Sequence, residues 1–450
     1  MAERGRAAER RGGGEGERSA EERRGEQVEQ LYTFRDTFFQ TEGPGPGGAE
    51  ERQRQLQERL HQVLEAISSL EGRSGHKASV LLLRGKALNV LPEGSSEAES
   101  ALSRAVKLRP ELLEAWNQLG EVYWKRGELE AARTCFTGAL THCKNKQSLR
   151  NLSMVLRQVQ GTAQERAANI MRSVEQARTA VEMDVTDGNS WYVLGNAYLS
   201  LFFVSGQSDR VSQQALGAYT QAEKVDASSV NKPRPAPQNR STLHRYEERY
   251  QAALAGLARA AALDPASTEP ALREQQLLTY LSRVSTLVQQ RGQLKKKRLT
   301  ALMSSLRGRE LHNHQDRLYN APSGPPTRLA LHPLSSLTPG NNPGTAVLGK
   351  VVFSLTTEEK VPFTVGLLDG EGTCVAVTVY NMAESWGVLI GDTIAIPRPI
   401  YTHHSVEHKD KTFAFGGIRV DSPLLLLVNG RNQSPASQAA PVLAHRPCAE

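Results

Sequence analysis

The chain has 450 residues, of which 39% are hydrophobic and 23% are charged, and its formal net charge at pH 7 is +7. A chain of this length has room for two or three domains, and its composition is typical of globular proteins. No run of about 20 apolar residues occurs, which excludes a membrane-spanning helix. The first residues are arginine, glutamate and glycine, whereas a secretory signal needs an apolar stretch, so we expect a protein of the cell interior without membrane contact.

The N-terminal part of the chain divides into two segments. Residues 1–26 contain almost no large apolar side chain, so burial cannot offset the entropy of ordering, and disorder is predicted. Residues 27–76 carry aromatic side chains between Leu31 and Phe39, followed by a second helical stretch from about Glu50 to Leu70. We expect these two helices to cap the structure that follows.

A tetratricopeptide motif, W-x-x-L-G-x-x-Y, occurs at residues 116–123 and again at residues 191–198. Such repeats are helix–turn–helix units of about 34 residues that bury their apolar faces only by stacking on neighbours. Second-helix patterns of the A-x-x-x-large-x-x-A type extend the array, so five or six repeats are predicted over residues 77–290. The spacing between the motifs makes the repeat near Gln147 irregular, because it exceeds two periods by seven residues. Stacked helix pairs form a concave groove, which predicts peptide or protein binding.

Residues 291–344 change in composition. The cationic run Lys295-Lys296-Lys297-Arg298 opens the segment, and prolines and glycines then become frequent. We predict a basic segment followed by a linker. Three interpretations of the cationic run stay open: contact with RNA phosphates, a nuclear import signal, or a solvated helix face.

Residues 345–430 predict five or six short strands joined by tight turns. A glycine turn that enters a strand, G-D-T-I-A-I-P at residues 391–397, favours an OB-fold-like β-barrel. Residues 431–450 are rich in serine, alanine and proline, and we expect a flexible tail. The predicted fold class is therefore a multi-domain α plus β protein, with a tetratricopeptide-repeat α-solenoid followed by a small barrel.

The chemistry of the barrel leaves two interpretations. Six aromatic residues are candidates for stacking nucleic-acid bases; they are Phe353, Phe363, Tyr380, Tyr401, Phe413 and Phe415. The alternation along the predicted strands instead places several of these six in the barrel core. The histidines at 403, 404 and 408 predict a solvated loop better than a metal site. No nucleophile elbow, phosphate loop or H-E-x-x-H motif occurs. We therefore predict no enzyme activity, no cofactor and no metal.

Three features carry a resemblance to a known family. They are the first repeat motif, N-L-S-M-V-L-R ending at Arg157, and the barrel phrases V-V-F-S-L-T-T-E-E-K-V-P-F and E-S-W-G-V-L-I-G-D. Over roughly residues 28–430 the chain resembles the tetratricopeptide repeat protein 5 family. The resemblance implies recognition of the N-terminal Met-Arg-Glu peptide of nascent α- and β-tubulin at the ribosome, which triggers tubulin mRNA decay through mRNA-decay effector proteins.

The resemblance also implies an alternative role in the nucleus. There the protein would be a scaffold for an acetyltransferase coactivator complex in stress-responsive, p53-type transcription, with acetyltransferase coactivator and actin-regulatory cofactor proteins as partners. The two roles together imply a cytoplasmic and nuclear location.

Candidate contacts follow from the resemblance and from charge. The resemblance implies that Arg157 contacts the peptide, and we assign it to the glutamate of the ligand. Glu269 is the candidate carboxylate for the ligand arginine, and Asn196 occupies a position that often clamps a peptide backbone in such repeats. Lys295, Lys297 and Arg298 match a basic segment that the resemblance assigns to ribosome or effector contact.

One segment departs from the family. Where relatives open a repeat helix with Pro-Asp-Leu-His-Leu, this chain has K-P-R-P-A-P-Q at residues 232–238. The prolines between Pro233 and Pro237 predict a helix that begins late, near Asn239. The groove aspartate is missing and Arg234 reverses the charge, which predicts weaker recognition of the ligand arginine unless Glu269 compensates. A local sequence error is the other explanation.

Overall fold

A computed structural model describes residues 2–41, 48–70, 76–228, 236–263, 265, 267–307, 318–319, 326–355 and 362–439. Its first two-thirds consist of helices. In chain order they are α1 Ala2–Thr41, α2 Gly48–Ser68, α3 Lys77–Leu88, α4 Ser96–Leu108, α5 Leu113–Lys125, α6 Leu129–His142, α7 Lys146–Gln158, α8 Ala163–Met183, α9 Gly188–Val204, α10 Asp209–Ser228, α11 Ala236–Tyr246, α12 Tyr250–Leu263, α13 Glu269–Gln289 and α14 Lys296–Ser305.

The helices stack as pairs. Each helix of the five pairs from α3/α4 to α11/α12 packs on its partner, and the first helices of successive pairs also contact each other. The pair α1/α2 packs on α3 at the N-terminal end of the array. This arrangement is the predicted tetratricopeptide solenoid, in which the first helices line one side of the array.

The repeat motif explains why each pair closes. In both copies the tryptophan indole donates to a carbonyl six residues earlier: Trp116 to Pro110 at 2.8 Å and Trp191 to Val185 at 2.9 Å. A Cβ atom on Gly120 would lie 2.4 Å from the Phe136 ring. The tryptophan therefore fixes the turn between repeats, and the glycine lets the second helix approach.

The third repeat is irregular because its second helix, α8, is longer than the second helix of the preceding repeat. α8 has 21 residues, whereas the corresponding α6 has 14, and the difference equals the seven extra residues between the two motifs. The helices of the next repeat are also long, since α9 continues to Val204 and α10 begins at Asp209, with only residues 205–208 between them.

Two predictions about helices differ from the structure. Residues 1–26, predicted to be disordered, belong to α1, since alanine, arginine and glutamate have high helix propensity. The C-terminal half of α1 is held by Val28 and Leu31, which are buried against α2 and α3. α11 begins at Ala236 and not near Asn239, because proline is tolerated in the first turn of a helix.

The strands form an OB-type barrel, which confirms the predicted fold class. In chain order they are β1 Leu318–Tyr319, β2 Thr327–Arg328, β3 Ala330–Leu331, β4 Gly340–Asn341, β5 Thr345–Leu355, β6 Phe363–Leu368, β7 Cys374–Val379, β8 Thr393–Pro397, β9 Ile400–His408, β10 Lys411–Val420, β11 Leu427–Val428 and β12 Arg431–Asn432. The sheet runs β8-β5-β6-β7-β10-β9, with β7 and β10 parallel.

A sharp turn joins β8 to β9. β8 and β9 stand at opposite ends of that order, yet only Arg398 and Pro399 separate them in the chain. Arg398 has φ of 51°, a left-handed conformation that turns the chain sharply between the two strands. Consecutive strands can therefore lie at opposite ends of the order. The curved sheet encloses the barrel core, which includes Val351, Leu367, Val377, Ile394 and Ile418, all fully buried.

The predicted barrel boundaries, 345–430, are too narrow. β3 pairs with β5 and β4 pairs with β9, so the second half of the predicted linker 291–344 belongs to the barrel sheet. Leu334 and Leu337 from this segment lie in the barrel core. Beyond residue 430, Met382 forms a β-bridge with Gln438. In this segment, proline and glycine mark the tight turns of a small barrel. Composition alone does not distinguish such turns from a linker.

Candidate functional site

The predicted peptide contact Arg157 lies near the C-terminal end of α7. Its Nη1 atom donates to the backbone oxygen of Ser153 at 3.3 Å and to the hydroxyls of Ser153 and Ser173 at 3.1 and 3.3 Å. The two serines are fully buried and their hydroxyls lie 2.9 Å apart. The guanidinium is half-buried and is held in one orientation between α7 and α8.

Asn196 is more deeply buried than a side chain that binds the backbone of a peptide in the groove would be. Only 4% of the residue is exposed, and its side-chain oxygen accepts from the Tyr219 hydroxyl at 2.7 Å and from the Asn239 amide at 3.1 Å. These contacts join α9, α10 and α11. The structure therefore gives Asn196 a role in fixing helix positions, and this placement differs from the predicted clamp on a peptide backbone.

Glu269 occupies the first turn of α13. It is exposed and pairs with Arg273 one turn later, with 2.8 Å between Oε1 and Nε. Arg157 and Asn196 lie on neighbouring first helices, α7 and α9, whereas Glu269 follows one further helix pair along the array. The two accessible candidates, Arg157 and Glu269, therefore lie on different helix pairs of the solenoid.

The proline-rich departure falls largely outside the described residues, and this includes Arg234. Its predicted effect on ligand recognition stays a prediction. On the described part of α11, Arg240 is paired with Glu223 of α10 at 2.6 Å. Burial, together with Arg240 and Arg249, lowers the pKa of His244 to about 4, so this side chain is neutral near pH 7.

The basic segment is exposed and held on the barrel. Lys295, Lys296, Lys297 and Arg298 are all exposed, at and just inside the N-terminal end of α14. The apolar face of α14, with Leu299, Leu302 and Met303, packs on the barrel. Positive charges in the first turn interact unfavourably with the helix dipole, so these cations do not stabilise α14. Because they are exposed, they can contact an anionic partner.

The barrel docks directly on the last repeat helices. The apolar face formed by α12 and α13 covers the outer side of β5, β6, β7, β9 and β10, and we call this contact the junction. Fully or almost fully buried side chains fill it; they are Tyr250, Leu254, Leu257, Leu277, Leu281, Val284, Phe353, Leu368, Ala376, Val406, Phe413 and Phe415. The face on which many OB-folds stack bases is therefore occupied within the chain.

Aromatic residues of the barrel are consequently core residues. Phe363 lies in the barrel interior, and Tyr380 is fully buried. Of the six candidate rings, only Tyr401 is partly exposed. This supports the core interpretation, and the interpretation in which the barrel stacks nucleic-acid bases has no exposed ring cluster in the described residues.

Charged pairs cross the junction. The Tyr380 hydroxyl donates to Glu248 Oε1 at 3.0 Å, and His404 Nε2 lies 3.3 Å from Glu248 Oε2. Burial, with the nearby Glu248 carboxylate second, raises the pKa of Tyr380. Burial also works against ionised Glu274, but hydrogen bonds from Lys409 and His408 lower its pKa overall.

The histidines of β9 were predicted wrongly. His404 is 5% exposed and faces Glu248, and His408 Nε2 lies 2.8 Å from Glu274 Oε1, so neither belongs to a solvated loop. Only tertiary structure brings these partners together, since well over 100 residues separate them in the chain. In the structure, buried and exposed residues alternate along the second half of β9, and His404 and Val406 are on the buried side.

The described residues contain neither a membrane-spanning helix nor a metal-binding cluster. No helix there is long and apolar enough to cross a membrane. Nor does this part of the chain bring three or more histidine, cysteine or acidic side chains together as a metal ion would need.

Comparison with known proteins gives the family. The family model described as "Tetratricopeptide repeat protein 5 OB fold domain" matches residues 328–442, and the one described as "Tetratricopeptide repeat" matches residues 93–146. The chain is 54% identical to tetratricopeptide repeat protein 5 of Mus musculus over 424 residues, which cover 94% of this chain and 96% of that protein. Identity to the Homo sapiens protein is 54% over 428 residues, with the same coverage.

These matches agree with the geometry. The OB match begins near β2 and ends after the Met382–Gln438 bridge, so it includes the last part of the predicted linker and the first part of the predicted tail. Tetratricopeptide repeats are protein-binding modules, typical of adaptors without catalysis. A protein-binding adaptor role is therefore supported, and the chain belongs to the tetratricopeptide repeat protein 5 family.

Proposed function

We propose that the repeat groove recognises the N-terminal Met-Arg-Glu peptide of nascent α- and β-tubulin at the ribosome, and that this recognition triggers tubulin mRNA decay through recruited effector proteins. Three parts of the chain then have separate tasks. The solenoid binds the peptide, the basic segment binds the ribosome or an effector, and the barrel holds the last repeats in place.

The observation that carries the proposal is the fixed position of Arg157. A guanidinium presents its donors in one plane that matches a carboxylate. The buried pair Ser153 and Ser173 orients it before any ligand arrives. Such preorganisation favours binding because less side-chain entropy is lost when the ligand glutamate is bound.

The ligand arginine needs a carboxylate further along the groove. Glu269 is the candidate, since it is exposed and stands at the N-terminal end of α13. Its pairing with Arg273 is an exposed contact between adjacent helical turns, of a kind that contributes little to stability. A ligand arginine can therefore replace Arg273 at small cost.

Fluorescence anisotropy of a labelled Met-Arg-Glu-Ile peptide, titrated with the full chain, tests the groove assignment. We expect saturable binding that Arg157→Ala weakens by about tenfold or more, as for other partly buried charge pairs. A Met-Arg-Lys-Ile peptide should bind Arg157→Glu better than it binds the wild type, because the charges are exchanged.

Arg172→Ala is the matched control, since Arg172 is exposed on α8, outside the proposed contacts. It should bind the peptide like the wild type. Equal binding by Arg157→Ala and Arg172→Ala, or no binding by the wild type, would refute the groove assignment and favour the nuclear scaffold role.

A further inference from the structure

A cleft of about 470 Å³ lies where α13 passes the tip of the β9–β10 hairpin, and we call it the hairpin cleft. One wall comes from α13 with Gln275, Thr279, Ser282 and Arg283, and the other comes from the hairpin with Lys409 and Lys411. Its volume falls in the range of ligand sites, about 300–1,000 Å³. None of the residues assigned above to the peptide or the ribosome lines it.

The walls of the hairpin cleft are fixed relative to each other. Glu274 of α13 is buried and lies 2.8 Å from His408 Nε2 and 2.6 Å from Lys409 Nζ. Gln251 of α12 exchanges two hydrogen bonds with the backbone of Glu407, at 2.7 and 2.8 Å. The hairpin is thus pinned to both helices, and a preformed cleft binds with a smaller entropic cost.

The hairpin cleft has an excess of positive charge. Three cations line it, Arg283, Lys409 and Lys411, against the single carboxylate of Glu274. That carboxylate already pairs with Lys409 and lies within hydrogen-bond distance of His408. Arg283 and Lys411 are exposed, and they form no salt bridge with a carboxylate of the described residues. The cleft therefore has two cations to offer to a ligand.

We propose that the hairpin cleft binds an acidic segment of a partner protein. Its two free cations stand on opposite walls, so carboxylates along one extended peptide would reach both. The Gln275 amide and the Ser282 hydroxyl suit peptide backbone groups, and Leu278 provides an apolar contact. A single-stranded nucleic acid would need exposed rings for stacking, whereas the neighbouring Tyr250, Phe413 and Phe415 are buried in the junction.

The test measures binding of a fluorescein-labelled peptide that alternates glutamate with leucine and serine, titrated with the full chain at low salt. We expect saturable binding that weakens as salt is raised, because the contacts are ionic and exposed. The double variant Arg283→Glu/Lys411→Glu should weaken it by about tenfold or more. The control Lys107→Glu/Arg172→Glu changes the net charge equally at exposed positions on α4 and α8 and should bind like the wild type.

Thermal melting of each variant verifies that it is folded, and exposed substitutions of this kind should leave stability nearly unchanged. Equal weakening by both double variants would overturn the proposal, since it would show a diffuse charge effect. Binding of a single-stranded RNA that Arg283→Glu/Lys411→Glu abolishes, with no peptide binding, would also overturn it and make the hairpin cleft a nucleic-acid site. Because the peptide contains no arginine and the variants leave Arg157 intact, failure here is separate from failure of the proposed tubulin contact.

Discussion

The glycine of the repeat motif shows how one residue decides helix packing. Gly120 and Gly195 each face an aromatic ring of the second helix, Phe136 and Tyr219 respectively, and an added Cβ atom would lie 2.4 and 2.6 Å from these rings. Both distances are well inside van der Waals contact. By contrast, Gly217 on the exposed side of α10 has no atom within 4 Å of the position that a Cβ would take.

The paired substitutions Gly120→Ala and Gly217→Ala separate this packing effect from helix propensity. Alanine favours a helix by about 1 kcal/mol over glycine, so Gly217→Ala should raise the free energy of unfolding by up to about 1 kcal/mol. Gly120→Ala should lower it by about 1–2 kcal/mol, since overpacking costs more than propensity returns. Urea unfolding followed by circular dichroism measures both, and stabilisation by both variants would contradict the packing account.

Residues with local signals could be predicted from the sequence, and residues with distant partners could not. The motif tryptophans and glycines act on partners close to them in the chain, so spacing alone revealed them. Asn196 was assigned to the groove because its polar side chain follows the motif, yet tertiary contacts from α10 and α11 bury it. The partners of His404 and His408 lie in the repeats, far from the barrel in the chain.

At the scale of elements, α13 links two parts of the molecule. One face of the helix supplies Leu277, Leu281 and Val284 to the junction, and all three are almost completely buried. Tyr280 and Ser285 add hydrogen bonds to Thr364 and to the backbone of Ala414, at 2.9 and 3.1 Å. The last helix of the solenoid is therefore also the cover of the barrel.

Leu281→Ala tests this double role. The substitution should lower the free energy of unfolding by about 2–5 kcal/mol, as for other fully buried leucines. Hydrogen exchange should become faster in β10 as well as in α13, because the cavity opens on the outer face of the barrel. Leu108→Ala, at a position 54% exposed, is the control and should change neither. Faster exchange confined to α13 would show that the barrel is independent of the helix.

Helical elements were easier to predict than the limits of the barrel. The 34-residue period and the seven-residue excess both follow from spacing, and α8 explains the excess directly. Short strands such as β3 and β4 have only two residues each, and their pairing depends on β5 and β9. Two-residue strands have no periodicity to detect, so the segment before the barrel was read from its prolines as a linker.

For the whole molecule, the sequence indicated two modules, whereas the structure shows them joined through a shared core. The junction buries apolar side chains from both modules, and Glu248, Glu274 and Gln251 add polar contacts across it. This arrangement places the basic segment, which follows α13, at a fixed position on the barrel. A peptide bound in the groove and a surface bound by the basic segment would then be held at fixed positions relative to each other.

Co-sedimentation with stalled ribosomes tests this two-part adaptor most directly. Ribosomes would carry either an exposed tubulin N-terminus or an unrelated nascent chain, and binding would be compared for the wild type, Arg157→Ala and the triple variant Lys295→Glu/Lys297→Glu/Arg298→Glu. We predict that the wild type prefers tubulin ribosomes and that Arg157→Ala loses this preference. The triple variant should bind the free peptide normally yet fail to sediment with either ribosome. Equal sedimentation of the wild type with both ribosomes, or unchanged sedimentation of both variants, would contradict the account.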